Sequence, residues 1–510
     1  LAALLLLMAA GASCGATEDS RRVVQASEIL AAIERGEPVE YDGVIVEGDL
    51  DLSGLKLPTE HVERDEFEIE YFSLTEEVRV VKSPINITNS EIRGNVTFGN
   101  TIFKEPIVLE YTNFNGRADF RGTNFSGDAY FSKANFSSDA DFLLCQFSSN
   151  AGFWKAKFIS TTEFSEAKFT NYAEFSEAEF GDYADFSGDN FEYDADFSYA
   201  RFNDTAQFGR AEFNDDIDFY AANFSGDAHF RESQFSSTAD FWASQFNGDA
   251  DFSDAKFGSY ADFSDANFNG DTSFQRAVFS NDAFFIMAKF GGYVDFTDSK
   301  FDEMAEIRDA KFGSNLILNR TRVYNMKLSN ISLVDKSCIH LTDPDFSKLD
   351  VQWAEIKGHL AYDPAAYLAL IKNFKNLEQV DDADDCYYEY RLESQKRKPF
   401  SLSRLFDTIA WISYGYGVRP SHTIVSSFLI FFLFGYVLKL GGGIQKSTYP
   451  CQTKSQNISL ADALYFSALT FVSQPPHNWG PRDGSLWKYV VLVEDILGWI
   501  FLTLFVITLT

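Results

Sequence analysis

Carboxylates are the most abundant ionisable groups in this chain of 510 residues, with 75 Asp plus Glu against 43 Lys plus Arg and a formal net charge of −32. Their placement decides what chemistry is open to them. Most recur at regular intervals in a polar setting through the middle of the chain, where a solvated acidic face is the expected role. The Gly-Gly-x-Gly-x-Asp unit by which calcium-binding solenoids hold their ion is missing. Glu494 and Asp495 differ, because they lie inside the apolar stretch Trp487 to Thr510. Carboxylates in such a setting are costly and face a pore or a partner. Sealing the back of a neighbouring helix is the alternative role for this pair.

Other reactive side chains form no recognisable constellation. The six histidines (His61, His229, His340, His359, His422, His477) lack metal-ligand spacing, and neither a phosphate loop nor His-Glu-x-x-His occurs. The five cysteines (Cys14, Cys145, Cys338, Cys386, Cys451) are too few and too scattered for a disulfide framework or a paired-Cys zinc site. The sequence therefore predicts no enzyme, no cofactor and no resident metal. Its negative charge also argues against a nucleic-acid partner, which needs clustered positive charge.

The elements that would position Glu494 and Asp495 are apolar helices. Thr423 to Leu440 and Trp487 to Thr510 each approach the ~20 apolar residues that span a bilayer, which makes lipid a partner. Between them, Ser459 to Val472 is apolar and helix-prone but too short to span, as a re-entrant helix would be. This order of helix, short helix, loop and helix resembles the two-helix potassium-channel-like family, with matching positions Asp462, Ala463, Tyr465, Phe466, Ser467 and Thr470. The resemblance implies an ion-channel domain in which carbonyls after the threonine replace an ion's hydration shell. It thereby designates Thr470, Phe471, Val472, Ser473 and Gln474 as the pore or filter region. It also implies inorganic cations as passengers and a homotetramer around the pore. Where that family has Gly-Tyr-Gly, this chain has Phe471-Val472-Ser473-Gln474-Pro475-Pro476-His477-Asn478, so potassium selectivity is not implied. Tyr414-Gly415-Tyr416-Gly417 precedes the first apolar helix and reads as a juxtamembrane turn.

Upstream of the membrane unit, Asp363-Pro364 predicts a helix cap with proline in the first turn, followed by Tyr367, Leu370, Ile371, Phe374 and Leu377 at helical spacing. A second helix is expected over about Asp382 to Lys396. Leu402, Leu405, Phe406, Ile409 and Ile412 then make an apolar stripe suited to a helix lying on a bilayer surface.

The middle of the chain follows neither the helical nor the strand period. Phenylalanine recurs every eleven residues from Phe120 to Phe296, and again from Phe125 to Phe312, with only Ile307 substituted where the first series would continue. The combined ladder steps alternately by five and six, and begins upstream at Ile87. Two positions before most rungs stands a small residue, as at Ala118, Ala134 and Ala261, so that large and small side chains alternate inside a coil. Cys145 falls on one of these small positions and is expected to be a buried filler. The unit, seen in Ala118-Asp119-Phe120, Ala134-Asn135-Phe136 and Ala261-Asp262-Phe263, resembles the pentapeptide-repeat family in its Phe-centred, double-repeat form. That resemblance implies a mainly β fold, a right-handed quadrilateral β-helix. Four units per coil give 22 residues, and a rod of roughly 50 Å at ~4.8 Å per coil.

The expected organisation is a truncated signal peptide at 1–16, with Cys14 as a lipidation candidate or an incidental cysteine, and a capping region at 17–86. The β-solenoid of 87–323 and its C-terminal cap of 324–362 follow, then a helical linker at 363–420 and a two-helix pore-loop unit at 421–510. The expected location is a cell membrane crossed more than once. Sidedness is drawn two ways: Ala10-Gly11-Ala12 suits export of the solenoid, whereas Arg391, Lys396, Arg397, Lys398, Arg404 and Arg419 favour the cytoplasm. The local cleavage pattern tips the reading to the exported arrangement. Functionally, the expectation is a cation-conducting, channel-like protein whose acidic solenoid senses or interacts. A non-conducting, membrane-anchored surface rod is the alternative.

Overall fold

The computed structural model describes residues 21–446, 458–483 and 486–509. The signal-peptide and Cys14 readings fall outside these residues, as do Cys451 and Thr510. The chain divides into two compact units after Ala361.

The first unit is a mainly β solenoid of about 15 turns. Its strands are mostly two residues long and pair in parallel with the strand 22 residues further on. Asn113–Phe114 pairs with Asn135–Phe136, Ala118–Asp119 with Ala140–Asp141, Asn124–Phe125 with Gln146–Phe147, and Ala129–Tyr130 with Ala151–Gly152. Four columns of strands result, one of which grows to 14 strands and another to 13. The four-unit coil read from the sequence is the repeat of the fold.

Phenylalanine fills the interior because a ring on every coil can stack on its equivalent one coil away. Phe142 and Phe164 lie 4.6 Å apart at 4°, while Phe142 and Phe153, half a coil apart, meet edge to face at 5.4 Å and 86°. The first distance is close to the spacing of neighbouring strands, so ring stacking and strand pairing demand the same rise. Small residues occupy the slots between rungs. At several slots that hold a polar side chain, its hydrogen goes to a carbonyl of the preceding coil: Thr123 Oγ to Phe98, Cys145 Sγ to Phe120 (3.0 Å each), and Ser233 Oγ to Phe208 (2.6 Å). Cys145 is thus the buried filler expected of it, and burial pushes its thiol well up from the usual range.

Asp189 occupies the same kind of slot. It is fully buried, accepts the Ala167 N–H at 2.9 Å with Oδ1, and leaves Oδ2 without a partner. Burial drives its carboxyl well above the ordinary range, opposed by the Ala167 bond and reinforced by Asp185, Glu163 and Glu166.

The corners explain the alternation of five and six. In the shorter step a β-turn closes through a bond such as Ala134 N–H to Phe131 O at 2.9 Å, with Lys133 left-handed at φ 55°. The same conformation recurs at Leu144, Lys155, Glu166 and Glu177. Aspartates lead into these turns, Asp185 accepting from Ser187 N and Asp240 from Trp242 N, both at 2.8 Å. In the longer step, aspartates bind coil to coil: Asp227 accepts from Asp249 N at 2.9 Å and Asp249 from Asp271 N at 2.8 Å. Much of the negative charge is therefore a corner-building device.

Both ends of the solenoid are covered. At the first coil, α1 (Ala26–Glu34) buries Ile29 and Ile33, and α2 (Glu66–Phe72) starts on a capping box formed by Asp65 and Glu68. At the other end the strands lengthen, as in Lys300–Arg308 and Arg322–Ser329, and α3 (Trp353–Ile356) buries Trp353 and Ile356. Capped ends remove the open strand edge that would otherwise pair with another chain.

The second unit is helical: α4 (Pro364–Asn376), α5 (Val380–Arg397), α6 (Leu402–Tyr414), α7 (Pro420–Gly441), α8 (Leu460–Phe471) and α9 (Trp487–Leu509). Asp363 caps α4 by accepting from Ala365 N at 2.8 Å. Between α5 and α6, Asp407 accepts from Arg391 at 3.0 Å and Lys398 at 2.5 Å, while Gln395 donates to Thr408 at 2.6 Å. The stripe of α6 formed by Leu402, Leu405, Phe406, Ile409 and Ile412 is left exposed. Tyr414–Gly417 forms a turn in which the buried Tyr416, left-handed at φ 57°, donates to Gln395 at 2.7 Å. Among the described residues, Pro420–Gly441 and Trp487–Thr508 are two helices long and apolar enough to cross a membrane, and most of their length is exposed.

Candidate functional site

The short helix α8 is fixed at its start by polar groups. Ser459 and Asp462 form a capping box, with Asp462 N–H on Ser459 Oγ and Ser459 N–H on Asp462 Oδ2, each at 3.1 Å. Ile444–Lys446 and Trp479–Pro481 pair as an antiparallel ribbon beside this start. Lys446 reaches Asp462 at 3.4 Å and lies 4.1 Å over the Trp479 ring, which itself stacks on Phe466 at 6.4 Å. Twelve residues advance α8 by roughly 18 Å. Its last residue, Phe471, then meets α9 halfway along, at Gly498, where a Cβ would collide with the Phe471 carbonyl oxygen. From there the chain returns to Trp479 in the ribbon. The segment thus enters and leaves the three-helix group α7, α8 and α9 at the same end.

Thr470 to Gln474, designated by the sequence as the filter region, close as a helix terminus. Ser473 N–H bonds to Thr470 O and Gln474 N–H to Leu469 O, both at 2.8 Å, with Ser473 left-handed at φ 57°. This is the Schellman pattern, with a proline following directly at Pro475. Phe471 packs 6.3 Å from Phe501, whereas Val472 and Gln474 are exposed. Phe428, Phe431, Phe471, Val472, Gly498 and Phe501 are among the residues around an apolar cavity of about 410 Å³ between the helices.

Both apolar-helix carboxylates meet this segment. Asp495 accepts from Ser473 Oγ at 2.5 Å. Glu494 is fully buried, its Oε1 bonded to Ser467 Oγ and its Oε2 without a partner. Ser467 also reaches the Phe431 carbonyl on α7 at 2.7 Å, so three helices converge on one hydroxyl. The Thr470 hydroxyl is buried nearby on the same face of α8, also without a partner. Of the sequence-designated residues, Thr470, Ser473, Glu494 and Asp495 therefore form a polar seam, while Val472 and Gln474 stand apart from it.

Sequence reasoning missed Phe431, which contributes only its carbonyl, and the two glycines that allow close approach. Gly435 faces Ala463 and Leu464 on α8, as Gly498 faces Phe471. Glycine inside long apolar stretches was the available signal, because small residues mark tight helix contacts in such settings.

The solenoid offers a second set of carboxylates in two outward-facing ladders. In one, Glu163 is pushed up to about 7, by burial first and then by Asp185 and Asp141 on adjoining coils. In the other, Asp218 is pushed up to about 6, by burial and then by Asp196 and Asp240. Asp194, Asp215 and Asp216 bring carboxylate oxygens within 4.8 Å of one another at the surface, with Asp216 engaged by Ser237 at 2.7 Å.

Comparison with known families matches residues 109–157, 164–211, 197–245 and 243–278 to the model described as pentapeptide repeats in nine copies. No curated protein and no solved structure matches the chain. The matched stretches all lie in the four-column coil, where successive strands each present a small-x-Phe unit with its small residue and ring inward. Over residues 109–157 and 164–278 the β-solenoid of this chain is thus an array of pentapeptide repeats.

Proposed function

We propose that the helical unit is a membrane-embedded, channel-like assembly that conducts cations, with the acidic solenoid as its interaction or sensing module. The observation that carries this reading is the course of α8, which enters between two span-length helices and returns to the end it came from. Glu494, Asp495, Ser467, Thr470 and Ser473 concentrate polar groups on that excursion, where an otherwise apolar helix group has no packing need for them. Four copies around an axis would enclose a pathway, so the assembly is a homotetramer in a cell membrane, with the solenoid on the outer side. Ion flux into proteoliposomes holding the full chain tests the proposal. Cation flux that disappears in a Thr470→Trp, Gln474→Trp double variant is the expected result. Absence of flux from folded, oligomeric protein overturns it.

One observation favours a second reading. The Leu469 and Thr470 carbonyls are taken up by the turn that ends α8, so they are not free to line an ion path as the helix stands. On that reading the unit is a non-conducting oligomeric anchor for a surface rod.

A further inference from the structure

The polar seam holds one more hydrogen than its ionised groups can supply. Ser467 Oγ lies within hydrogen-bond distance of two oxygens, the Phe431 carbonyl and Glu494 Oε1. A serine hydroxyl carries a single hydrogen, and a backbone carbonyl carries none. If Ser467 donates to Phe431, the hydrogen between Ser467 and Glu494 must sit on the glutamate. If it donates to an ionised Glu494 instead, the 2.7 Å contact with Phe431 O sets lone pair against lone pair. An ionised carboxylate would also leave its second oxygen charged, buried and without a partner, whereas the carbonyl oxygen of a neutral acid tolerates that position at much smaller cost.

We infer that Glu494 is a proton-binding site: its carboxylic acid donates to Ser467, which donates to the Phe431 carbonyl, and the bound proton ties α9 through α8 to α7. Loss of the proton would leave two facing acceptors at the point where the three helices meet and release α8 from one of its neighbours. The inference goes beyond the pore reading, since it holds whether or not the unit conducts.

The elements packed against α9 bring few charges to this point. On α7, His422 is engaged with the Trp411 carbonyl and Lys439 with the Ile458 carbonyl, and Tyr436 is exposed. On α8, Asp462 is held by Ser459 and Lys446, and Tyr465 is exposed. On α6, Asp407 is paired with Arg391 and Lys398, and Arg404 with the Lys398 carbonyl. On α9 itself, Asp495 is taken up by Ser473, and Lys488 lies over the Tyr489 ring. Asp495 is the nearest carboxyl in sequence.

Infrared difference spectroscopy of the full chain in lipid nanodiscs tests the site independently of flux. Subtracting the Glu494→Gln spectrum from the wild-type spectrum at neutral pH removes every other buried acid, Asp189 included. The expected remainder is the carbonyl stretch of a protonated carboxylic acid that shifts in deuterated water and persists in an Asp495→Asn background. Glutamine supplies a neutral donor of the same shape, so Glu494→Gln should melt within a few degrees of wild type, while Ser467→Ala, which breaks both links, melts lower. A remainder containing only ionised-carboxylate bands overturns the inference, and so does a Glu494→Gln chain that fails to fold. A chain that shows the acid band but no flux leaves the proton site standing and removes the channel.

Discussion

A single carboxyl shows how far this fold is from its best sequence. Asp189 sits in a slot that alanine fills on most coils, with one oxygen unpaired. Its only use is to accept the Ala167 N–H, which also bonds to Phe164 O at 2.9 Å. Asp189→Ala should therefore stabilise the solenoid, by about 1–3 kcal/mol at pH 8, the size of a buried polar group relieved of its desolvation. The sign with pH follows from the raised carboxyl: the unfolded chain ionises near the ordinary Asp range while the folded chain keeps its proton, so the native state loses ground as pH rises. The gain from the substitution should shrink on acidification and level off below the unfolded Asp range, at the part owed to the unpaired oxygen of the neutral acid. Thermal melts of both chains across pH 4 to 8 decide it, and parallel curves would count against the account.

At the scale of the element, the left-handed corner is the strained part. Residues there are Lys, Glu, Tyr, Arg or Ala far more often than Gly, although a left-handed non-glycine residue costs about 1–2 kcal/mol. Ala243→Gly at φ 57° should stabilise by about 0.5–1 kcal/mol once the extra freedom glycine gives the unfolded chain is deducted. A drop in the unfolding midpoint would show that the corner is relaxed by something other than its dihedral. These corners also mark what the sequence could show. The Phe ladder and its small partners were legible because each rung obeys one packing rule, and the coil of 22 residues followed from it. The left-handed turn was not legible, because its residue type varies from Lys133 to Leu144 to Glu166 while the conformation stays constant. Around Glu494 the sequence supplied the carboxylate and the short helix, since charge in an apolar run stands out. It did not supply Phe431 or the role of Gly498, because a carbonyl has no residue identity and a missing Cβ matters only against a particular neighbour.

Across the whole molecule, the acidic ladders make the solenoid a coupled titrating object. Glu163, raised to about 7, and Asp218, raised to about 6, both owe part of their shift to carboxylates on adjacent coils. Asp141, Glu174 and Asp240 are raised for the same first reason, burial. Because the folded state holds these protons to higher pH than the unfolded state, stability contributed by the ladders is full below the ordinary carboxylate range and falls as pH climbs from about 4 to about 7. Asp254 and Asp298, lowered by Arg276 and Arg320, act oppositely and lose their contribution on strong acidification. The solenoid should thus melt higher near pH 5 than at pH 8, and Glu163→Gln should flatten that slope. Circular dichroism of the strand signal reads both, and a melting temperature that rises toward pH 8 would contradict the ladder account.

The repeat of the coil has a consequence for how such a chain changes length. Strand partners differ by 22 residues, while the inward Phe recurs every eleven, so opposite faces carry the same kind of strand. Excising 22 residues would remove one storey and leave every face continuous. Excising eleven would turn all that follows by half a revolution, setting Phe on Phe and Asp on Asp but joining each face to the one across from it. The solenoid is in this sense a ruler with two-fold markings. Evolution or design can alter its length in steps of half a coil, each step exchanging which side of the rod displays Tyr199 and Trp242, without disturbing a buried ring.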